Sequence, residues 1–205
     1  MSLLTNSFAR TCSILCLAIA GLAACSVLPK AEPVAYYRLP SSTLTPAPAS
    51  LGIAQTVRIK LPDSSGLLNS NRMLVIPSGN ELSAYHGARW ATRLPILFRD
   101  SLLDVWLQSG RFQFVINDSQ ALAADRELGG RLNAFHSEYI NGQLSVVIEF
   151  DAQWVAPQQR RLLASQRFRV TEPTASKELS AVVDAFGIAQ ARLSQQLLQW
   201  ALASP

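Results

Sequence analysis

The sequence predicts an α/β domain of the α+β kind: a two-layer sandwich whose mixed, mostly antiparallel sheet carries two long amphipathic helices on one face. Three observations carry this. Between Leu128 and Arg169 the apolar residues alternate with polar ones in three long runs, the period of half-buried strands. Residues 88–108 and 177–201 repeat their apolar residues at three- and four-residue spacing, the period of a helix with one buried stripe. Asn141-Gly142 and Pro157-Gln158-Gln159 stand where the strand runs must turn. Strands bracketed by two such helices bury both apolar faces when the helices lie on the sheet.

Composition narrows the class further. The 205 residues, 49% apolar and 16% charged, allow one domain with a sizeable core. They exclude a wholly disordered chain. No apolar run reaches the roughly 20 residues a membrane helix needs, which excludes a polytopic membrane protein. Three cysteines do not build a disulfide scaffold. No internal repeat recurs at a period of about 20–50 residues.

The elements follow in order. Tyr36-Tyr37-Arg38-Leu39 is short, aromatic and strand-like, a first edge strand. Val57, Ile59 and Leu61 alternate with Arg58 and Lys60 as a half-buried strand that Pro62 ends, and residues 63–71 form a loop. Met73–Ile76 and Glu81–Tyr85 are two short strands about the turn-rich Pro77-Ser78-Gly79-Asn80. The helix over 88–108 buries Trp90, Leu94, Leu97, Phe98, Leu102, Val105 and Trp106. Pro95 requires that it either start near Leu94 or bend there, and Ser109-Gly110 ends it. Phe112–Ile116 is a strand, and Ser119–Asp125 is expected to form one or two helical turns.

In the first long strand Leu128, Leu132, Ala134 and His136 share a face opposite Arg131, Asn133 and Ser137. Leu144, Val146, Ile148, Phe150, Ala152 and Trp154 line one face of the second. The third turns Leu162, Ala164 and Phe168 inward and Arg161, Arg167 and Arg169 outward. The last helix, about Lys177 to Ala201, buries Leu179, Val182, Phe186, Ala189, Leu193, Leu197 and Trp200, with Ser176 as its N-cap. The four tryptophans belong to the core, Trp106 alternatively facing a partner.

The N-terminus reads as an address. Residues 1–24 carry one charge, Arg10, and an uncharged, mostly apolar stretch runs from Thr11 to Ala24. This is the form of a secretory signal, too short to span a bilayer. It ends in Leu22-Ala23-Ala24-Cys25, an aliphatic residue and two small ones before cysteine, which is a bacterial lipobox. Small residues let a peptidase approach the backbone. The Cys25 thiolate supplies the nucleophile for a thioether to diacylglycerol, and cleavage then frees an amine for N-palmitoylation. Several acyl chains at about 0.8 kcal/mol per buried methylene hold far better than one. A plain signal peptide cut near Ala24, or a tail-less membrane anchor, is the alternative. Cys12 and Cys16 leave with the signal, so the remaining chain has no cysteine besides Cys25 and forms no internal disulfide. Ser26, where enteric-type bacteria use Asp for inner-membrane retention, favours the periplasmic face of the outer membrane. Residues 25–52, with five of the eleven prolines, form an extended lipidated tether, and residues 53–205 the domain.

No nucleophile elbow, zinc-binding His-Glu-x-x-His, Walker loop or dinucleotide fingerprint occurs. The two histidines, His86 and His136, suit structural roles better than a zinc site. His136 and Glu138 share a strand face without a nucleophile beside them. No catalytic residue, metal or cofactor is expected. Beyond residue 24 there are 17 basic and 14 acidic residues, too small an excess to indicate nucleic acid. The Arg161, Arg167, Arg169 row offers a contact for anionic headgroups or peptidoglycan. A solvated face neutralised in part by Glu149 and Asp151 is the better reading.

A lipobox is followed by Tyr36-Tyr37-Arg38-Leu39, Val57-Arg58-Ile59-Lys60-Leu61-Pro62, Met73–Ile76, Trp90 with Leu94-Pro95 and Leu102-Leu103, and Leu128-Gly129-Gly130-Arg131-Leu132. This order resembles the ABC-type transport auxiliary lipoproteins, the family of paraquat-inducible protein C, over nearly the whole chain. The Asp63-Ser64-Ser65-Gly66 loop departs from the Tyr-containing family version. The resemblance implies a non-enzymatic outer-membrane lipoprotein that works with a mammalian-cell-entry-domain (MCE) protein and, in some systems, an ABC transporter. Together they move lipid between membranes and support envelope integrity. A ring of copies docking that assembly is among the arrangements it implies. Cys25 is the one functional residue it carries over. A lipoprotein of another envelope assembly (secretion or cell-wall attachment) is the second reading, and a periplasmic hydrolase the third.

Overall fold

The computed structural model describes residues 33–40 and 52–205. Contacts divide the chain at Pro33–Val34, and all regular structure among the described residues lies in Val34–Pro205. In chain order the elements are β1 (Ala35–Tyr37), β2 (Ile53–Ile59), β3 (Arg72–Ile76), β4 (Ser83–Trp90), α1 (Leu94–Ser109), β5 (Phe112–Asn117), β6 (Arg126–Ile140), β7 (Gln143–Ala156), β8 (Arg161–Pro173) and α2 (Leu179–Ala203). Single 3₁₀ turns occupy Gly66–Asn69 and Pro157–Gln159.

The eight strands form one mixed sheet, and the long strand β6 organises it. One edge of β6 pairs along its length with β7, and β7 with β8, in the two longest ladders, both antiparallel. The other edge is shared. The start of β6 pairs in parallel with β2 (Ile59↔Leu128), and its end pairs in parallel with β3 (Leu74↔His136). Between them Asp63 bridges to Arg131: its N–H donates to the Gly130 carbonyl at 2.9 Å and its carbonyl accepts from Leu132 N–H at 2.9 Å. The sheet therefore forks. One arm adds β5 beside β2; the other adds β4 and then β1 beside β3. Ala35–Tyr37, inside the proline-rich stretch, is thus an edge strand of the domain.

Both helices lie on one face of this sheet. Val182, Phe186, Ala189, Leu193 and Leu197 of α2 and Leu94, Phe98, Leu102, Val105 and Trp106 of α1 join Val146, Ile148, Phe150 and Trp154 of β7 in a single buried cluster. Trp106 is fully buried and donates its indole N–H to the Ser194 carbonyl at 3.3 Å, so it belongs to the core and not to a partner surface. Trp90 meets Phe135 and Phe186 edge-on at 5.8 and 5.2 Å, and those two rings stack at 4.7 Å.

Several local expectations need correction. Trp90 is not helical: it ends β4, its N–H donating to Asn71 C=O, and α1 begins at Leu94 with Pro95 in its first turn. Of the two ways to accommodate that proline, the chain uses the later start. Leu61 is 40% exposed, because β2 ends at Ile59 and Leu61 N–H turns to the Asp118 carboxylate at 2.9 Å. Ser119–Asp125 makes no helical turn. Asn117 accepts from Ser119, and the Asp125 carboxylate accepts Thr56 N–H at 2.8 Å, so these side chains hold the backbone in a loop along β2. Ser176 does not cap α2. Its hydroxyl accepts Glu178 N–H at 3.2 Å, and Glu178 itself is the N-cap, without a side-chain bond.

Two bulges change which residues share a face. In β6 the register slips between Leu132 and Ala134, leaving Asn133 as the extra residue. Leu128 and Leu132 face the helices, and beyond the bulge Phe135 and Ser137 do so in their place. Ala134 and His136 move to the opposite face, and Ser137, expected outside, is fully buried beside the Tyr85 hydroxyl at 2.8 Å. In β8 the slip between Leu162 and Ala164 puts Leu162 opposite Val155, where it is 53% exposed rather than inward. The hairpin between β6 and β7 turns as expected: Asn141 and Gly142 have φ of 51° and 81°.

Candidate functional site

The lipobox residues Leu22, Ala23, Ala24 and Cys25 lie outside the described residues. Among the described residues no helix is long and apolar enough to cross a membrane. A charged constellation lies on the sheet face opposite the helices, and the bulge at Asn133 builds it. By shifting parity it brings His136 and Glu138 onto the same face as Glu149 and Asp151 of β7 and Arg167 and Arg169 of β8.

Arg167, opposite Asp151, grips that carboxylate in a fork: Nε to Oδ1 at 2.5 Å and Nη2 to Oδ2 at 2.8 Å. Asn133, the bulged residue, adds its amide to Asp151 Oδ2 at 2.8 Å. Arg167, then Asn133, hold the Asp151 carboxyl at a pKa of about 2. Arg169, opposite Glu149, bridges Glu149 Oε2 at 3.0 Å and Glu138 Oε1 at 3.1 Å. The ladder thus alternates in sign across the strands, the arrangement that stabilises cross-strand pairs. Arg161 is not part of it. Beyond the β8 bulge it stands opposite Ala156, at the strand's first residue and on the other parity.

His136 sits beneath the ladder, its Nε2 3.6 Å from Glu138 Oε2, too far for a hydrogen bond and with no other acceptor near. Ser145 shares this face opposite Glu138 but gives its hydroxyl to the Gln143 carbonyl at 3.4 Å, and His136 Nε2 has no hydrogen-bond partner, so the imidazole is placed as a structural group and not as a base poised on a nucleophile. Burial holds its pKa below the ordinary 6.5 against the pull of Glu138. The folded state then takes up this proton less readily than the unfolded chain. Its contribution to stability is present above pH about 6.5 and declines as the pH falls through that value. Urea midpoints are expected to drop between pH 7.5 and 5.5, and His136→Gln should flatten that part of the profile. An unchanged slope would remove His136 as its source. Among the described residues no group of three His, Cys, Asp or Glu side chains is arranged to hold a metal ion.

A concavity of about 230 Å³ lies between residues 38–40 and α1, lined by Arg38, Leu39, Pro40, Ser101, Asp104 and Gln108 among others. Burial, then the nearby Asp100, raises the Asp104 carboxyl above the ordinary carboxylate range.

Comparison with known proteins places this architecture. The family model for the ABC-type transport auxiliary lipoprotein component matches residues 37–197. The crystal structure of protein XCC0632 from Xanthomonas campestris, assigned to the family model DUF330, is similar with a TM-score of 0.74. It is 27% identical, and the match covers 82% of this chain and 95% of that one. The crystal structure of an uncharacterized protein is similar in fold with a TM-score of 0.65 at 19% identity, over 82% of this chain and 99% of the other. No curated protein sequence matches the chain.

Proposed function

The chain belongs to the ABC-type transport auxiliary lipoprotein family, and from that premise we propose that it is a non-catalytic accessory subunit of an MCE-type intermembrane lipid transport system. It is held at the periplasmic face of the outer membrane by acyl chains on Cys25 and supports envelope integrity from there. The observation that carries this reading is the order of parts. A lipobox ending at Cys25 precedes a proline-rich stretch, which leads into a domain that matches the family and whose charged face is closed by ion pairs rather than opened by a nucleophile. The MCE-domain protein and, in some systems, an ABC transporter are the partners of this role. A ring of copies would present several identical docking surfaces to them, a gain in avidity without new contacts.

The chemistry sets the reach of the domain. Nine residues lie between Cys25 and Ala35 of β1, so the chain between them spans at most about 35 Å. Cys25→Ser removes the thiolate that accepts the diacylglycerol. The variant is expected to lose S-diacylglycerol and N-palmitoyl groups by mass spectrometry and to leave the outer-membrane fraction, while its domain folds with an unchanged melting profile. In vivo crosslinking of the wild-type protein should recover an MCE-domain protein. Retention of Cys25→Ser in the outer-membrane fraction, rather than as a soluble or uncleaved species, would sink the anchor, and repeated crosslinking without such a partner would sink the transport role.

A further inference from the structure

β8 is a sheet edge: among the described residues it pairs only with β7. The phase of that ladder is fixed at its end, where Thr174 N–H donates to the Leu144 carbonyl at 3.0 Å in continuation of the Ser145↔Pro173 register. Backbone groups of an antiparallel strand point alternately toward and away from the neighbour. Positions 166, 168, 170 and 172 therefore bond to β7, and positions 165, 167, 169 and 171 turn their N–H and C=O outward. Pro173, with no N–H to offer, holds the last outward position, the place an edge tolerates proline. Arg192 covers one outward carbonyl, that of Thr171, at 3.4 Å. Among the described residues, nothing bonds to the outward groups of Ser165, Arg167 and Arg169.

The side chains at those positions define what could pair there. Arg167 and Arg169 are 63% and 49% exposed. Arg167 commits Nε and Nη2 to Asp151, and Arg169 commits both Nη atoms to Glu149 and Glu138. Nη1 of Arg167 and Nε of Arg169 remain as donors. On the helix side of the same edge an open groove of about 550 Å³ runs beside Phe168, Gln166, Gln196, Gln199 and Trp200. A second copy of this chain fits poorly, because antiparallel pairing of two such edges would set Arg167 and Arg169 against their own counterparts.

We propose that the β8 edge is a docking site for an extended segment of a partner protein. The segment adds to the sheet as an antiparallel strand, with carboxylates at alternate positions over Arg167 and Arg169 and apolar or amide residues toward the Trp200 groove. Main-chain bonds supply affinity and the alternating side chains supply selectivity, as in other strand additions. The assignment is independent of the transport role proposed above.

The probe is a fluorescent nine-residue peptide of alternating Glu and Val, titrated by anisotropy against the full chain in detergent. It should bind, and amide hydrogen exchange should slow at residues 165, 167, 169 and 171. Arg167→Gln with Arg169→Gln should weaken binding by about tenfold or more. Residues opposite Arg167 and Arg169 exchange backbone bonds with them, so N-methylation of the Glu residues should abolish binding and N-methylation of the Val residues should not. This peptide pair leaves the protein untouched and needs no folded variant. Absence of binding, equal binding of a Lys–Val peptide, or indifference to Glu N-methylation would overturn the proposal. Protection of the same amides without peptide, growing with protein concentration, would give the edge to a second copy and overturn it as well.

Discussion

Gly130→Ala is expected to destabilise the domain on the order of 3 kcal/mol, enough to unfold a marginal variant at 37 °C. Gly130 has φ of 139°, a region L side chains rarely adopt, and a Cβ there would lie 1.9 Å from the Asp151 carbonyl oxygen and 2.9 Å from Phe150 Cζ. Neither contact relaxes cheaply. Asp151 belongs to the β7 ladder, and the Gly130 carbonyl is fixed by Asp63 N–H at the fork of the sheet. The neighbouring Gly129→Ala is the control. Its Cβ would meet only the Lys60 side chain, at 3.6 Å, an ordinary contact. Urea denaturation followed by circular dichroism should separate the two variants clearly. Equal midpoints would show that the backbone at Gly130 is not constrained as described.

Trp90→Ala is expected to cost about 3–5 kcal/mol. Trp90 is fully buried at the end of β4 and meets the stacked Phe135–Phe186 pair edge-on, joining β4, β6 and α2. Truncation loses the transfer free energy of the indole and the contacts that tie one arm of the sheet to the long helix. Trp200→Ala, at a partly buried position against Phe168, should cost less. Thermal melts of both variants would check the order, and the reverse ranking would contradict the assigned packing.

The sequence was legible wherever period and burial agree. β7 alternates without interruption from Leu144 to Trp154, and the α2 stripe buries Val182, Phe186, Ala189, Leu193 and Leu197 as its spacing requires. It failed where one inserted residue resets the count. Asn133 and the slip at Leu162–Ala164 each exchange the faces of the residues beyond them, and no composition signal marks either. That is why strand alternation alone puts Ala134, His136, Ser137, Leu162 and Arg161 on the wrong sides. Trp90 was misplaced for a related reason. Residues 88–90 happen to continue the spacing of α1, and the competing strand pairing with Asn71 and Tyr37 is long-range. The charged ladder was legible only in part. Arg167 and Arg169 opposite Asp151 and Glu149 follow from strand alternation, whereas Glu138 and His136 reach it only through the bulge. Asn133, the residue that makes the bulge and also orients Asp151, was missed as a contributor for the same reason.

The fork in the sheet imposes an order of events on a chain that is made from its N-terminus. β1, β2, β3 and β4 are synthesised first, but the β2–β5 arm and the β3–β4–β1 arm are joined only by β6. The pairings that need no later strand, β3–β4, β1–β4 and β2–β5, are short and leave two separate pieces. The β6–β7–β8 meander is built from near neighbours in sequence and closes quickly, so the last third of the chain is the template on which the first third crystallises. Until residues 126–156 emerge, these short pairings have no common strand to join them, and a truncation before β7 should yield aggregate rather than a smaller fold.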